Sequence, residues 1–251
     1  MTVEIVTAAI LVIGDEILSG RTKDKNIGYI AEYMTAIGID VKEVRVVSDD
    51  EPEVVAALNA LRGRYTYVFT TGGIGPTHDD ITADCIAKAF GVGIDFHPEA
   101  VAIMKERVAR FGGELNEARM RMTRIPDGAA LIANKVSGAP GFWIGNVITM
   151  AGVPNIMQAM LDEVAPKLKT GVKMLSISIR ADAKEGDIGT ELGIVAKAYP
   201  DAMIGSYPFI DENGIPNTNV VVRSRDGARL AEVTAAVEAM IGKVRAKLAR
   251  S

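Results

Sequence analysis

A glycine-rich segment is the part of the sequence best suited to hold a ligand. It reads Thr70-Thr-Gly-Gly-Ile-Gly-Pro-Thr-His-Asp-Asp80 and lies between an apolar, strand-like run and a helix-like run. Glycines let backbone N–H groups turn toward an anion, and the following helix has a partial positive charge at its N-terminus. The segment therefore predicts a phosphate or pyrophosphate site. Its predicted ligand-binding residues are Thr71, Gly72, Gly73, Gly75 and Thr77.

The segment matches neither standard phosphate-binding motif. Gly73-x-Gly75-x-x-His78 lacks the third glycine of a dinucleotide fingerprint, and a P-loop with its Gly-Lys-Ser/Thr end is absent from the sequence. A structural alternative therefore stays open. Gly72-Gly73 would then only turn the chain, and Thr77-x-x-Asp80 would cap the next helix as a capping box.

Three acidic clusters each follow a strand-like run. They are Asp15-Glu16, Asp49-Asp50-Glu51 and Asp79-Asp80. If the strands are parallel, their carboxyl ends meet at one edge of the sheet, where ligands of open α/β sheets bind. Each cluster could instead cap a helix.

Carboxylates beside a phosphate repel it unless a divalent cation lies between them, and hard cations take oxygen ligands. The acidic clusters thus predict metal-assisted phosphate chemistry. The predicted catalytic residues are Asp80, Asp49 and Asp50, and the predicted metal ligands are Glu16, Asp80 and Asp49.

Other reactive residue types predict little chemistry. His78, His97 and Cys85 lack zinc-site spacing, and the sequence contains no Gly-x-Ser-x-Gly elbow of a serine hydrolase. Cys85 recurs at helical spacing with Ile81 and Ile86, which favours a small buried residue over a nucleophile. Five arginines cluster in a helix-like stretch and could clamp phosphates, but a solvated helical face is the favoured interpretation. They are Arg107, Arg110, Arg119, Arg121 and Arg124.

The elements that must position these residues alternate between strand and helix. A continuous apolar run at 7–13 predicts a buried parallel strand. Further strands are predicted at 41–47 and 66–71, and apolar residues at helical spacing lie between the three strands. Further strands are predicted at 129–132 and 146–150, and a helical stretch is predicted over 98–123. The loops 137–142 and 151–154 could join the same ligand crevice. The fold class is therefore α/β with a mainly parallel sheet.

A break at 166–171, where lysine and glycine replace apolar residues, predicts a domain boundary. The expected domains are 1–171 and 172–251. The second reads strand, helix, strand, strand, helix, and Asp211-Glu-Asn-Gly214 predicts a hairpin turn within it.

Composition narrows the classes of partner. The 251 residues are 48% hydrophobic and carry a net charge of -4, so we expect neither a nucleic-acid nor a membrane partner. A single cysteine suits a reducing compartment, and the first residues carry no basic segment followed by an apolar one. We therefore expect a cytoplasmic protein.

Several motifs together resemble the CinA family (competence/damage-inducible protein A). They are Gly14-Asp-Glu-Ile-Leu-Ser-Gly20, Asn26, the run from Thr70 to Thr82, Gly138-Ala-Pro-Gly141 and Gly152-Val-Pro154. The resemblance covers essentially the whole chain. It implies a three-layer α/β/α domain like the molybdopterin-binding MoaB/Mog proteins, followed by a small α+β KH-like domain. It also implies ligand contacts from Asn26, Gly138, Ala139, Pro140, Gly141, Gly152 and Pro154.

The resemblance implies one leading activity and two alternatives. CinA-type domains are associated with hydrolysis of ADP-ribose and related nucleotide pyrophosphates, with a divalent metal such as cobalt and with potassium, and a similar domain of some FAD synthases hydrolyses FAD. MoaB/Mog relatives instead adenylylate molybdopterin with ATP and magnesium. Asp80 matches the aspartate that these relatives carry in their glycine loop. A module that binds nucleotide or pterin without catalysis is the third possibility. The expected partner is a small nucleotide or pterin, and the expected assembly is a homo-oligomer, either dimer or trimer.

Two positions depart from the family pattern. Ile156 stands where the family commonly has Glu, which questions any role of that carboxylate, and Asp15 stands where many members have Asn. The deamidase domain of longer CinA proteins is not expected here.

Overall fold

The computed structural model describes residues 5–249, and the chain divides into two compact units, Met1–Gly171 and Val172–Ser251. The strands of the first unit, in chain order, are β1 (Val6–Ile13), β2 (Ile39–Val47), β3 (Tyr67–Thr71), β4 (Ile94–Phe96), β5 (Arg124–Pro126), β6 (Ala130–Ile132), β7 (Gly141–Ile144) and β8 (Val147–Met150). Its helices are α1 (Asp15–Leu18), α2 (Asn26–Ala36), α3 (Glu51–Arg62), α4 (Thr82–Phe90), α5 (Pro98–Arg110), α6 (Glu117–Arg121) and α7 (Pro154–Val164).

A six-stranded sheet forms the centre of this unit, in the order β2-β1-β3-β8-β7-β6. The first four strands are mutually parallel, while β7 and β6 add in antiparallel fashion; β4 and β5 form a separate antiparallel pair. The carboxyl ends of β1, β2, β3 and β8 therefore lie along one edge. The predicted α/β class with a mainly parallel sheet is confirmed.

Each face of the sheet is covered by helices, because the central strands are apolar on both sides. Side chains of β3 alternate, so that Phe69 packs in the core shared with α2 and α7, while Val68 packs in the core shared with α3 and α4. Ile30 and Leu58 are buried on the two opposite sides. This is a three-layer arrangement.

The sequence-based elements need correction in two places. The stretch 98–123 is not one helix: α5 ends at Arg110, and Gly112, with φ of +67°, separates it from α6. The sequence does not predict strands β4, β5 and β7. Each has only three or four residues, which is too short to show an alternating pattern of apolar and polar residues. As a result Gly141, predicted as a loop residue, opens β7 and is buried.

The second unit is α+β, as expected. It contains β9 (Leu175–Arg180), α8 (Glu185–Ala198), β10 (Met203–Ile210), β11 (Pro216–Ser224) and α9 (Gly227–Leu248), and its antiparallel sheet has the order β10-β11-β9. Gly214, with φ of +75°, donates its N–H to Asp211 O at 3.0 Å and closes the predicted hairpin turn. Within residues 5–249, no helix combines the length and apolar character needed to cross a bilayer.

Candidate functional site

The glycine loop leaves the carboxyl end of β3, and close packing fixes its first two glycines. At Gly72, with φ of +101°, an added Cβ would lie 2.1 Å from Ile13 O. At Gly73, with φ of +64°, it would lie 2.2 Å from Thr82 Oγ1. Both positions therefore require glycine for structural reasons, as the structural alternative proposed, whether or not a ligand is present.

Hydrogen bonds tie the loop's carbonyl groups to the start of α4. Thr82 Oγ1 donates to Gly72 O at 2.9 Å, and Thr82 N–H donates to Gly73 O at 3.0 Å. Within the described part of the chain, the N–H groups of Gly73, Ile74 and Gly75 find no acceptor. These three donors are available to an anion.

Asp80 closes a turn inside the loop rather than capping the helix. Its Oδ2 accepts the Thr77 N–H at 2.8 Å and the Thr77 hydroxyl at 2.5 Å. Helix α4 begins two residues later at Thr82, and Ile81 at its N-cap makes no side-chain capping bond. The capping-box alternative is therefore wrong.

The two neighbouring aspartates of the loop line different pockets. Asp80 lines a small pocket with Gly73 and Gly75. Asp79 lines a wide pocket of about 780 Å³, and so do Glu16 and Asp49. The wide pocket also includes Asp15, Ser19, Arg21, His78 and Ile81.

Asp49 is a partly buried carboxylate of the wide pocket. Burial raises its pKa above the usual range, and the carboxylates of Asp15, Glu16 and Asp79 raise it further. These effects outweigh the hydrogen bond that Asp15 N–H donates to Asp49 Oδ2 at 2.9 Å. A half-buried carboxylate is thus held among like charges.

Asp50, the neighbour of Asp49, has a structural position. Its carboxylate accepts the Glu53 N–H at 3.3 Å and caps α3, and it does not line the wide pocket. The expectation that Asp50 joins the site is corrected: its carboxylate is directed to the N-terminus of α3, so of the two neighbours only Asp49 lines the wide pocket.

The predicted metal-ligand set is not assembled as a trio. Glu16 and Asp49 share the wide pocket, but the turn with Thr77 directs Asp80 into the small one. Among residues 5–249, no three His, Cys, Asp or Glu side chains are grouped to hold an ion. Carboxylates would therefore fill only part of a cation's coordination shell.

Asn26 joins two of the predicted loops. Its side chain is 3% exposed, and Nδ2 donates to Gly152 O at 2.8 Å. Gly152 lies against the glycine loop, since an added Cβ would lie 3.3 Å from Gly72 Cα. The buried Asn26 Oδ1 and Thr71 Oγ1 have no partner within the described residues. Pro154 is the first residue of α7.

The Gly138–Gly141 segment is mainly structural. Asn134 Nδ2 donates a hydrogen bond to Ala139 O at 2.8 Å. Gly138, with φ of +88°, packs against the Arg107 side chain. A Cβ at Gly141 would lie 2.4 Å from Thr149 O. Of the four residues predicted to contact ligand, Pro140 lines the small pocket, and Gly138, Ala139 and Gly141 line neither it nor the wide pocket.

Arg121 and Arg124 line the small pocket. The sequence pattern had favoured a solvated helical face for both of them. Arg124 binds Asp84 through two hydrogen bonds of 2.7 Å each, and Arg121 lies beside it with its Nε buried. Arg119, in contrast, is exposed. The break at Gly112 redirects α6 toward the glycine loop, and that change of direction has no periodic signal in the sequence.

Comparisons with known proteins agree with this architecture. A family model described as a probable molybdopterin binding domain matches residues 9–170, and one described as the middle domain of FAD synthase matches residues 173–247. The crystal structure of the protein CinA from Thermoplasma acidophilum, whose function is unknown, has a TM-score of 0.60 and 33% identity; the match covers 65% of this chain and 98% of that chain. The KH-likeness of the small unit stays a prediction.

Three relatives at the sequence level match different shares of this chain and of their own lengths. A protein of Caldivirga maquilingensis is 38% identical over 64% of this chain and 65% of its own length. A CinA-like protein of Gemmatimonas aurantiaca is 32% identical over 97% of this chain and 59% of its own length. A probable FAD synthase of Caenorhabditis elegans is 30% identical over 95% of this chain and 50% of its own length. The matched regions thus cover about two thirds or less of the length of each of these three relatives, and this chain as a whole spans only about half to three fifths of the last two.

Proposed function

Because the chain belongs to the CinA family and carries a MoaB/Mog-type, probable molybdopterin binding domain, we propose that it hydrolyses nucleotide pyrophosphates such as ADP-ribose or FAD with a divalent cation, cobalt or magnesium. We expect the activity to use potassium in addition to the divalent cation. The FAD synthase middle-domain match and the probable FAD synthase among the relatives support a nucleotide ligand.

The observation that carries this proposal is the environment of Asp49. Its half-buried carboxylate lies in one pocket with Glu16 and Asp79, and its pKa is raised by burial and by those like charges. Such a group is electrostatically unsatisfied, and a cation in the pocket would relieve it. The pocket opens beside a loop whose free N–H groups suit a phosphate.

The donor set fits a cation that shares its shell with substrate. Mg²⁺ is commonly held by one or two carboxylates together with phosphate oxygens and water, so a closed trio of protein ligands is not required. Glu16 and Asp49 would hold the ion. When bound, it would neutralise developing charge on the phosphoryl group.

The chain's own groups would position the ligand. The N–H groups of Gly73, Ile74 and Gly75 would donate to phosphoryl oxygens, and the hydrogen bonds from Thr82 would keep the loop in that conformation. Asp80 would act on the loop by accepting both Thr77 donors. A preformed loop lowers the cost of ordering on binding.

The test compares two adjacent aspartates. Asp49→Asn is expected to lower kcat/KM for ADP-ribose about a hundredfold or more, measured as AMP release with cobalt or magnesium and potassium present. Asp50→Asn is the matched control, because asparagine caps a helix as well as aspartate does, and it should keep wild-type turnover. No turnover by the wild-type chain across ADP-ribose, FAD and other nucleotide pyrophosphates would refute the proposal.

A second candidate is molybdopterin binding or adenylylation, favoured by the family model over residues 9–170. It predicts that the pterin copurifies and that AMP is transferred from ATP. A third candidate is binding without catalysis. It is favoured by Ile156, which lies in the first turn of α7, packs against the apolar core and leaves that position without a carboxylate. We expect a cytoplasmic homo-oligomer under each of these functions.

A further inference from the structure

The small pocket beside the glycine loop contains a cation that the proposed chemistry does not use. Arg121 lines this pocket together with Gly73 and Gly75, and its buried Nε has no hydrogen-bond partner within residues 5–249. A buried guanidinium N–H without an acceptor costs free energy, so such groups normally bind protein, water or ligand oxygen.

The other charges of the pocket are already engaged. Arg124 and Asp84 pair through two bonds of 2.7 Å, so their charges largely cancel. Asp80 keeps its negative charge, which the two neutral Thr77 donors to Oδ2 stabilise but do not cancel. Arg121 forms no ion pair in the described part of the chain, and it lies beside the free N–H groups of the loop.

The size of the pocket restricts what can enter. Its free volume is about 20 Å³, which is room for about one oxygen-sized group. A space of this size suits one oxygen of a tetrahedral anion.

We propose that Arg121 and the N–H groups of Gly73–Gly75 form an anion subsite that binds one phosphoryl group of a pyrophosphate-bearing ligand. The subsite lies on the Asp80 side of the loop, whereas Glu16 and Asp49 lie on the Asp79 side. The inference rests on the proposed function for the identity of its natural ligand. The anion binding itself needs neither metal nor turnover, since guanidinium and backbone donors supply it.

The experiment is titration calorimetry of the full chain with inorganic pyrophosphate in the presence of a chelator. Arg121→Gln is expected to weaken binding about tenfold or more, because a charge-assisted contact is lost. Arg119→Gln is the matched control: it removes the same charge from the same short helix at an exposed position, and it should change the dissociation constant less than about twofold. Arg121→Lys, which keeps the charge but loses Nε, should fall between them.

Thermal melting of each variant verifies that it is folded, and Arg121→Lys preserves the test if Arg121→Gln does not fold. Equal affinities of the Arg121 and Arg119 variants, or no binding by the wild-type chain at about 10 mM pyrophosphate, would overturn the subsite. Pyrophosphate binding that needs Arg121, without any hydrolysis, would leave the subsite standing and refute the proposed function. If the wild-type chain hydrolyses nucleotide pyrophosphates but Arg121→Gln binds pyrophosphate as tightly as wild type, the proposed function stands and the subsite is refuted.

Discussion

Asp79 and Asp80 are adjacent in the chain but lie in different pockets. Asp80 is held toward Gly75 by the two Thr77 donors, and Asp79 joins Glu16 and Asp49 on the other side of the loop. The glycine loop therefore separates an acidic pocket from one that contains arginine.

Variants on the two sides of the loop should have different kinetic effects. Thr77→Val removes the hydroxyl that binds Asp80, so we expect a KM for nucleotide several times higher with an unchanged cation requirement. Asp79→Asn removes charge from the acidic pocket, so we expect about threefold weaker activation by the cation with a nearly unchanged KM. Titration of substrate and cation separately for each variant measures both quantities. Identical effects of the two variants would contradict the separation.

The raised pKa of Asp49 predicts a stability change with a definite sign. The folded chain holds this proton more tightly than the unfolded chain, so the contribution favours folding below the ordinary aspartate pKa and is lost as pH rises through the raised value. Asp49→Asn keeps an oxygen for the Asp15 N–H and should raise the melting temperature at pH 7 by about 2 °C. The gain should shrink toward about pH 4. A lower melting temperature at pH 7 would count against it, and Asp50→Asn serves as the control.

Two glycines should respond in opposite ways to alanine. Gly72→Ala forces a positive φ on alanine and drives Cβ into Ile13 O, so a loss of at least about 2 kcal/mol in unfolding free energy is expected. Gly28 lies within α2 with nothing near its missing Cβ, so Gly28→Ala should gain about 0.5–1 kcal/mol. Urea denaturation measures both. A tolerated Gly72→Ala would show that the loop does not need its observed backbone conformation.

Cys85 should be chemically inert in the folded protein. It is fully buried, and burial raises the pKa of its thiol to about 12. Reaction with a thiol reagent at about pH 8 should therefore be at least about a hundredfold slower than in the denatured chain. Rapid reaction of the folded protein would reopen the question of a nucleophilic role.

Much of the fold follows from local patterns. The run at 7–13 is apolar at every residue except Thr7, and the run at 66–71 has an apolar centre, as expected for strands covered on both faces, and the helices between them have clear apolar spacing. The very short strands β4, β5 and β7 were missed, because three or four residues do not establish a period. Strands β4 and β5 form by pairing with each other across the segment 97–123, and β7 forms by pairing with its neighbours β6 and β8.

The candidate site follows the sequence less closely. Order along the chain placed Asp49 and Glu16 at one sheet edge with the glycine loop, and the structure brings them into one pocket with Asp79. The order of residues along the chain could not distinguish Asp49 from Asp50. A helix-capping residue and a pocket residue can be of the same type and adjacent in sequence. Nor could that order place Arg121 beside the glycine loop, because that depends on the break after α5.

By itself, the sequence determined the parallel sheet, the glycine loop at the end of β3, and the acidic residues that follow neighbouring strands. These features depend on side-chain periodicity and on the shared direction of parallel strands, both of which are local or topological. Only the tertiary structure decided that Asp79 and Asp80 face different pockets and that Arg121 completes one of them. Those outcomes depend on contacts between segments far apart in the chain and on hydrogen bonds such as that between Thr77 and Asp80, whose geometry is set by packing.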